Sequence, residues 1–264
     1  MTTAPDARLR TPSNLRLRMI ASVCMIAVAT VALWIGGVAF WLLAVVVALF
    51  MSAEWASLSG ADAREKRIGQ LALSVPLAIT APTSLIIESR PFFTIGLLLA
   101  ATFFLLITTN KRQFAAGVLY CGLPVLALTQ LRAQEGGLIL ALWALALVWM
   151  TDIGAFFTGR TLRGPKLAPR ISPAKTWSGL IGGVILATVF AALLHAYEGL
   201  PFRLLAATPF LAALAQAGDL YESWIKRRAG VKDSGNILPG HGGVLDRLDG
   251  VVPVAPVAAL LAIL

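Results

Sequence analysis

The sequence predicts an all-α, polytopic integral membrane protein. Of its 264 residues, 58% are hydrophobic and only 13% are charged, and the apolar residues form runs long enough to cross a bilayer. A soluble domain carries about a quarter charged residues. A chain with half that fraction cannot cover the surface of a water-soluble globule, which excludes an ordinary soluble enzyme, a disordered chain and a secreted disulfide scaffold.

About nine transmembrane helices are predicted from apolar runs that end at charged residues or at Gly and Pro. The predicted spans are 19–35, 38–53, 71–87, 92–108, 115–130, 137–157, 178–195, 203–224 and 251–264. No soluble domain, long linker or internal repeat interrupts them. We therefore interpret 1–264 as one membrane-embedded domain, with 1–18 as a basic cytoplasmic segment.

The distribution of positive charge predicts which side each loop faces. If the N-terminus is cytoplasmic and the helices alternate, all but three of the 22 Lys and Arg residues fall in inner segments. The three exceptions are Arg90, Arg132 and Arg203. This partition favours a cytoplasmic N-terminus, an outer C-terminus and an odd number of spans. We expect a bacterial-type inner membrane with the site on its cytoplasmic side. The net charge of +9 then reflects loops that face anionic lipid and metabolites, and does not indicate nucleic acid.

The two cysteines give no sign of a metal site. Cys24 and Cys121 both lie inside apolar runs, and neither has a partner at metal-ligand spacing. We expect two free, buried thiols.

Two inner segments, 159–177 and 225–250, are polar, basic and rich in Gly or Pro, and acidic residues gather near them. These acidic residues are Asp152, Asp219, Glu222, Asp246 and Asp249. A carboxylate in or near hydrocarbon is costly, so its default interpretation is functional. Asp219, Glu222 and Ser223 have the i, i+3, i+4 spacing that places them on one helix face.

Each carboxylate also has a structural interpretation. Asp246 and Asp249 could simply occupy the positive start of the ninth helix. Asp219 could form an ion pair with Lys226 or Arg227. Glu54 and Asp152 could be interfacial residues, with Asp152 the better functional candidate because glycines follow it.

The first polar segment predicts an anion site at a helix start. Ser172 and Pro173 have the pattern of an N-cap followed by Pro at the first helical position, which would put Lys175 and Thr176 in the first turn of the seventh helix. Exposed backbone N–H groups there, with these side chains, would hold a phosphate. The alternative is a lysine that reaches the lipid headgroups.

Carboxylates for a divalent cation beside loops for several phosphates predict metal-assisted phosphoryl or nucleotidyl transfer. Glycines would let the backbone approach the ligand closely: Gly235, Gly240, Gly242 and Gly243. His241 could bond a phosphate or make a hydrogen bond within the loop. The glycines lack Walker spacing, so the loop is not a P-loop.

The segment from Ser223 to Asp249, SWIKRRAGVKDSGNILPGHGGVLDRLD, resembles the signature of the phosphatidate cytidylyltransferase (CDP-diacylglycerol synthase) family. The matching positions are Ser223, Lys226, Arg227, Lys232, Asp233, Ser234, Pro239, Gly240, His241, Gly242, Gly243, Asp246, Arg247 and Asp249. The first segment is similar to the family at Asp152, Gly154, Gly159-Arg160, Lys166 to Pro169 and Ser172 to Trp177. Two positions depart from the pattern: Ser178 stands where Glu is common, and Phe156 where Tyr is common.

The resemblance implies a Mg²⁺-dependent reaction in which CTP and phosphatidate give CDP-diacylglycerol and pyrophosphate, for phospholipid synthesis. Given that reaction, we expect Asp219 and Asp246, with Asp249 as a third candidate, to be the metal ligands. The candidate catalytic residues are Asp219, Asp246, Lys226 and Arg247. The candidate contacts to phosphate or substrate are Ser172, Lys175, Thr176, Ser223, Lys226, Arg227, Lys232, Asp233, His241 and Arg247. Two other functions stay open, a CTP-dependent polyprenol or lipid kinase and a membrane transporter. A homodimer is one arrangement that the sequence allows.

Overall fold

The computed structural model describes residues 15–82, 91–237 and 242–263. The described residues form ten helices and one short hairpin. In chain order these are α1 Leu15–Ile35, α2 Gly37–Leu58, α3 Ala63–Ile79, α4 Pro91–Thr109, α5 Arg112–Ala133, α6 Gly137–Thr161, β1 Lys166–Ala168, β2 Ser172–Thr176, α7 Trp177–Glu198, α8 Phe202–Arg228, α9 Leu245–Leu248 and α10 Val251–Ile263.

A helix lies at each of the nine predicted spans, but the count of nine spans is not confirmed. Six helices of the described ranges are long and apolar enough to cross a membrane: α2, α4 from Phe92, and α5 to α8. Two apolar stretches, Val23–Ile35 and Val251–Ile263, are shorter. The third helix begins well before the predicted 71–87, because Asp62 caps it in a capping box with Glu65. The predicted end of that span, at 83–87, lies outside the described residues.

The predicted helix start at Ser172 is wrong. Ser172–Thr176 forms β2, which pairs antiparallel with β1, and Ala168 lies opposite Ser172. The seventh helix begins at Trp177, where the Thr176 hydroxyl caps it by accepting a hydrogen bond from the Gly179 N–H at 3.1 Å. Thr176 therefore takes the role predicted for Ser172. Lys175 precedes the helix and does not lie in its first turn.

Two apolar cores stabilise the bundle. One is built mainly from α6, α7, α8 and α10, and includes the fully buried Trp143, whose indole N–H donates to Thr208 Oγ1 at 3.1 Å. The other is built mainly from α2 to α5 and includes Trp55 and Cys121. Cys121 is a buried free thiol as predicted, whereas Cys24 is exposed, so that part of the prediction is wrong.

Helices α6 and α7 pack closely because glycines face each other between them. A Cβ on Gly154 would lie 2.7 Å from the Gly182 carbonyl oxygen, and a Cβ on Gly183 would lie 2.5 Å from the Thr151 carbonyl oxygen. Small residues of this kind let helix backbones approach in membrane proteins. The close packing fixes the end of α6, with Asp152, against the start of α7.

Where the structure describes them, the polar segments that the charge pattern assigns to one side gather at one end of the bundle: 53–70, 111–112, 159–177 and 225–250. Lys111 Nζ bonds the Gly60 carbonyl at 2.9 Å and Glu65 at 2.6 Å. Glu54 bonds the segment that follows α8. At the opposite end, Arg132 Nε caps the end of α1 through the Leu33 carbonyl at 2.7 Å. The contacts therefore agree with placing these segments on one side, while the number of spans, the side of the N-terminus and the assignment of this end to the cytoplasm stay predictions.

The close contact between α6 and α7 leads to a first prediction. In Gly183→Ala, the added methyl meets backbone that cannot move away, and we expect the free energy of unfolding to fall by about 1–3 kcal/mol. Thermal unfolding in detergent measures this. Gly96→Ala in α4 is the matched control, since a Cβ there meets nothing within 4 Å. Equal unfolding midpoints for the two variants would contradict the packing argument.

Candidate active site

A polar cluster lies where the C-terminal halves of α6 and α8 meet the strand β2. Lys175 Nζ forms an ion pair with Asp219 Oδ2 and donates a hydrogen bond to Gln216 Oε1 at 3.0 Å. Gln216 Nε2 in turn donates to Asp152 Oδ1 at 3.1 Å. Ser223 Oγ donates to Asp219 Oδ1 at 3.3 Å. One lysine therefore draws together two carboxylates from different helices.

A second cluster lies farther along α8, centred on Lys226. Its Nζ lies 2.5 Å from Asp246 Oδ1 and 3.3 Å from Glu222 Oε1. Glu222 is fully buried and Lys226 is mostly buried. Burying such carboxylates is costly unless a cation compensates their charge, and Lys226 is the cation at this place.

Asp246 organises the loop that follows α8. Its oxygens accept hydrogen bonds from the backbone N–H of Ser234, at 3.0 and 3.2 Å, and of Gly243, at 2.8 Å. Burial alone would raise the pKa of Asp246, but the bonds from Lys226, Gly243 and Ser234 outweigh it and the pKa is lowered. Asp246 therefore stays ionised well below neutral pH.

Asp249 connects the two clusters electrostatically. Burial, followed by the negative charge of Asp219, raises its pKa, and the charge of Asp152 adds to this. Its Oδ1 accepts a hydrogen bond from the Gly250 N–H at 2.7 Å, which opposes the shift. A carboxylate surrounded by other carboxylates favours a bound cation, because the cation relieves their repulsion.

The structure revises the ion pair that the sequence suggested for Asp219. Its partner is Lys175 on β2, and Lys226 pairs instead with Glu222 and Asp246. Asp219 and Asp246 lie at the same end of α8. Lys226, which holds Asp246, follows Asp219 by seven residues, about 10 Å along the helix axis.

The remaining predicted site residues surround the clusters. Arg227, Lys232, Asp233 and Arg247 are exposed at the same end of the bundle, and Ser172 is half-buried in β2. Arg227 Nη1 bonds the Val231 carbonyl at 3.3 Å. His241 and Gly240 lie outside the described residues, so the structure does not test their roles.

No ready-made metal site is formed by side chains alone in the described ranges. Among residues 15–82, 91–237 and 242–263, no three His, Cys, Asp or Glu side chains converge closely enough to hold an ion. The oxygen-only donors at Asp152, Asp219 and Asp249 are nevertheless the type that Mg²⁺ prefers. Mg²⁺ usually takes one or two carboxylates and completes its shell with substrate phosphates and water, so these residues fit an ion that arrives with a nucleotide.

The sequence profile of the cytidylyltransferase family matches residues 16–264. This chain belongs to the cytidylyltransferase family. The family membership confirms the resemblance found at the Ser223–Asp249 signature, and it makes the chain an enzyme of the cytidylyltransferase type.

Similar proteins from several bacteria are named phosphatidate cytidylyltransferase. The phosphatidate cytidylyltransferase of Brucella suis biovar 1 (strain 1330) is 42% identical over 251 residues, which cover 92% of this chain and 91% of that protein. The phosphatidate cytidylyltransferase of Rickettsia typhi (strain Wilmington) is 29% identical over 253 residues, covering 92% and 90%. The Bacillus subtilis (strain 168) enzyme is 47% identical over 126 residues, 47% of each chain.

Two buried polar residues near these clusters were not among the site residues predicted from the sequence. Gln216, only 5% exposed, links Lys175 to Asp152, yet a single Gln in an apolar helix gives little signal. Glu54, only 3% exposed, was one of two carboxylates for which an interfacial position was considered. The structure overturns that interpretation, because the Glu54 carboxylate lies inside the protein and bonds the loop after α8. The sequence feature that could have indicated a role for Glu54 is its position at the end of a long apolar run, where a carboxylate is costly.

The pairing of Lys226 generates a prediction about stability. Lys226→Met leaves Glu222 and Asp246 without their buried cation, and we expect a loss of about 3–5 kcal/mol in the free energy of unfolding. Arg227→Met is the control, since the exposed Arg227 neutralises no buried carboxylate in the described contacts. Thermal unfolding in detergent compares the two. Similar midpoints would show that Lys226 is not the counter-ion of this cluster.

Proposed function

We propose that the protein transfers the cytidylyl group of CTP to phosphatidate, giving CDP-diacylglycerol and pyrophosphate. The observation that carries the proposal is the pair of lysine-centred carboxylate clusters, bordered by basic segments, at one end of an apolar helix bundle. Basic groups can bind the phosphates of a nucleotide and of a lipid, carboxylates can bind the accompanying cation, and the apolar bundle holds the site at the membrane, where the lipid is. The names of the relatives provide independent support.

The chemistry needs no covalent enzyme intermediate. A phosphate oxygen of phosphatidate attacks the α-phosphorus of CTP, a new P–O–P bond forms, and the bond from the α-phosphorus to the β-phosphate oxygen breaks. Pyrophosphate leaves with that electron pair. The protein's contribution is to hold the attacking oxygen in line and to neutralise charge on the leaving group.

We assign the phosphate contacts to the lysines of the two clusters and to the exposed basic residues next to them. Lys175 and Lys226 are held by carboxylates, so their ammonium groups have fixed positions before substrate arrives. The exposed Arg227, Lys232 and Arg247 add positive charge around them. Asp233 and the Ser172 and Thr176 hydroxyls stay proposals as substrate contacts, with the Thr176 hydroxyl already engaged in capping α7.

We propose Asp219 and Asp249 as the carboxylates that would hold Mg²⁺ together with the CTP phosphates. When bound, Mg²⁺ would neutralise phosphate charge and fix the triphosphate conformation. Asp246 also stays a proposed ligand, but its oxygens already bond Lys226 and two backbone N–H groups. Its main contribution is then the position of the loop and of Lys226.

The proposed setting is the cytoplasmic face of a bacterial-type inner membrane. CTP would reach the clusters from the cytoplasm, and phosphatidate would enter sideways from the inner leaflet. The gathering of the basic segments at one end of the bundle supports this orientation through the positive-inside rule. A homodimer remains compatible with the proposal, and nucleic acid has no part in it.

The two alternative functions predict different products. A CTP-dependent lipid kinase would transfer the γ-phosphoryl group and release CDP, and a transporter would move solute without consuming CTP. With CTP labelled at the α-phosphorus, we expect label in the lipid product and unlabelled pyrophosphate from the purified protein. Labelled CDP would identify the kinase, and solute flux into proteoliposomes without CTP turnover would identify the transporter.

The metal proposal gives a prediction for Asp219. Asp219→Asn removes a charged ligand and the partner of Lys175, and we expect kcat/KM for CTP to fall by about 100-fold at saturating Mg²⁺. Glu135→Gln is the control, because Glu135 is exposed at the opposite end of the bundle. CDP-diacylglycerol formation in detergent measures both. Near-normal turnover by Asp219→Asn would remove Asp219 from the metal site.

A further inference from the structure

Glu54 is a buried carboxylate on α2 that belongs to neither lysine-centred cluster. It is 3% exposed and lies between apolar neighbours such as Met51 and Trp55, which are almost fully buried. Burying a carboxylate in such surroundings is costly unless its oxygens are hydrogen-bonded. Its bonding partners therefore indicate what it does.

Among the described residues, Glu54 accepts hydrogen bonds from three donors, which all belong to the segment that follows α8. Oε1 accepts from the Val244 N–H at 2.9 Å, while Oε2 accepts from the Leu245 N–H at 2.8 Å and from Ser234 Oγ at 2.9 Å. Ser234 lies before the signature glycines 240–243, and Val244 and Leu245 lie after them. One side chain thus ties both arms of this loop to α2, some 180 to 191 residues away in sequence.

The same loop connects Glu54 to Lys226. Ser234 donates its hydroxyl to Glu54 and its backbone N–H to Asp246. Asp246 in turn holds Lys226 Nζ at 2.5 Å. A displacement of Ser234 would therefore change the position of the lysine that we assign to a CTP phosphate.

Two glycines of this loop, Gly235 and Gly243, leave the space that Glu54 occupies. A Cβ on Gly235 would lie 2.7 Å from Glu54 Oε1. A Cβ on Gly243 would overlap both Ser234 Oγ and Glu54 Oε2. The sequence suggested that these glycines allow the backbone to approach a ligand. In the structure, at these two positions, the group that approaches is the Glu54 carboxylate.

We propose that Glu54 is a positioning residue for cytidylyl transfer. It fixes the two arms of the loop against α2, and through Ser234 and Asp246 it sets the orientation of Lys226 toward the CTP phosphates. The proposal rests on the proposed function for its catalytic consequence, whereas the anchoring of the loop stands on the hydrogen bonds alone.

The main test is Glu54→Gln, which keeps the shape of the side chain but turns one acceptor into an NH₂ group facing N–H and O–H donors. We expect kcat/KM for CTP to fall by about 10- to 100-fold, the loss typical of residues that orient a ligand-contacting side chain through hydrogen bonds. The KM for CTP should rise and the KM for phosphatidate should stay nearly unchanged. Amide hydrogen exchange of peptides spanning 242–246 should become several-fold faster.

Glu65→Gln is the matched control. Glu65 lies at the same end of the bundle and also accepts hydrogen bonds from a backbone N–H and a lysine ammonium. It caps α3, however, and has no hydrogen bond to the part of the loop that the structure describes. We expect it to leave the CTP kinetics and the exchange of 242–246 unchanged. If Glu54→Gln loses activity only in proportion to a lower unfolding midpoint, with no rise in the KM for CTP, Glu54 is merely structural and the proposal is overturned.

A second pair of variants keeps the test decisive if Glu54→Gln does not fold. Gly243→Ala pushes the two arms away from Glu54 without changing any charge, and it should reproduce the rise in KM for CTP and the faster exchange. Gly96→Ala should do neither. Normal CTP kinetics in Gly243→Ala would contradict the proposal. A different outcome is that the wild-type protein makes no CDP-diacylglycerol while Gly243→Ala still shows faster exchange. That combination would contradict the proposed function but not the anchoring of the loop by Glu54.

Discussion

The burial of negative charge at one end of an apolar bundle is the constraint on which the rest of this structure depends. A carboxylate placed there must find a cation or several hydrogen-bond donors. Lys175 provides the cation for Asp219, and Lys226 provides it for Glu222 and Asp246. Because these lysines and carboxylates come from different elements, satisfying the charges also draws together α6, β2, α8 and α9.

The apolar part of the chain supports that arrangement. The glycine contacts between α6 and α7 bring Asp152 close to the strand that carries Lys175. The two apolar cores hold α2 and α8 in place, so that Glu54 can reach across to the loop after α8. The charged groups are thus preorganised before any substrate binds, which is what electrostatic stabilisation of the charge that develops during phosphate chemistry requires.

Local sequence patterns predicted the helices and the family, because hydropathy and a long contiguous signature both lie within short stretches of chain. They did not predict partners that are distant in sequence. Lys175 and Asp219 are 44 residues apart, and Glu54 and Val244 are 190 apart. The predicted helix start at Ser172 was wrong for a related reason. The Ser-Pro pattern is typical of a helix start, but Ser172 pairs with Ala168, so the chain forms a strand before the helix begins. Single polar residues such as Gln216 carry no periodic signal at all.

The central claim is that one end of α8 binds the CTP triphosphate between its two lysine-centred clusters. The most direct measurement is an experimental structure of the protein with Mg²⁺ and a non-reactive CTP analogue. We expect the phosphates to contact Lys226 and Lys175, with the cation between the phosphates and the carboxylate of Asp219 or Asp249. A nucleotide bound at the opposite end of the bundle, or at this end without contact to either lysine, would contradict the account.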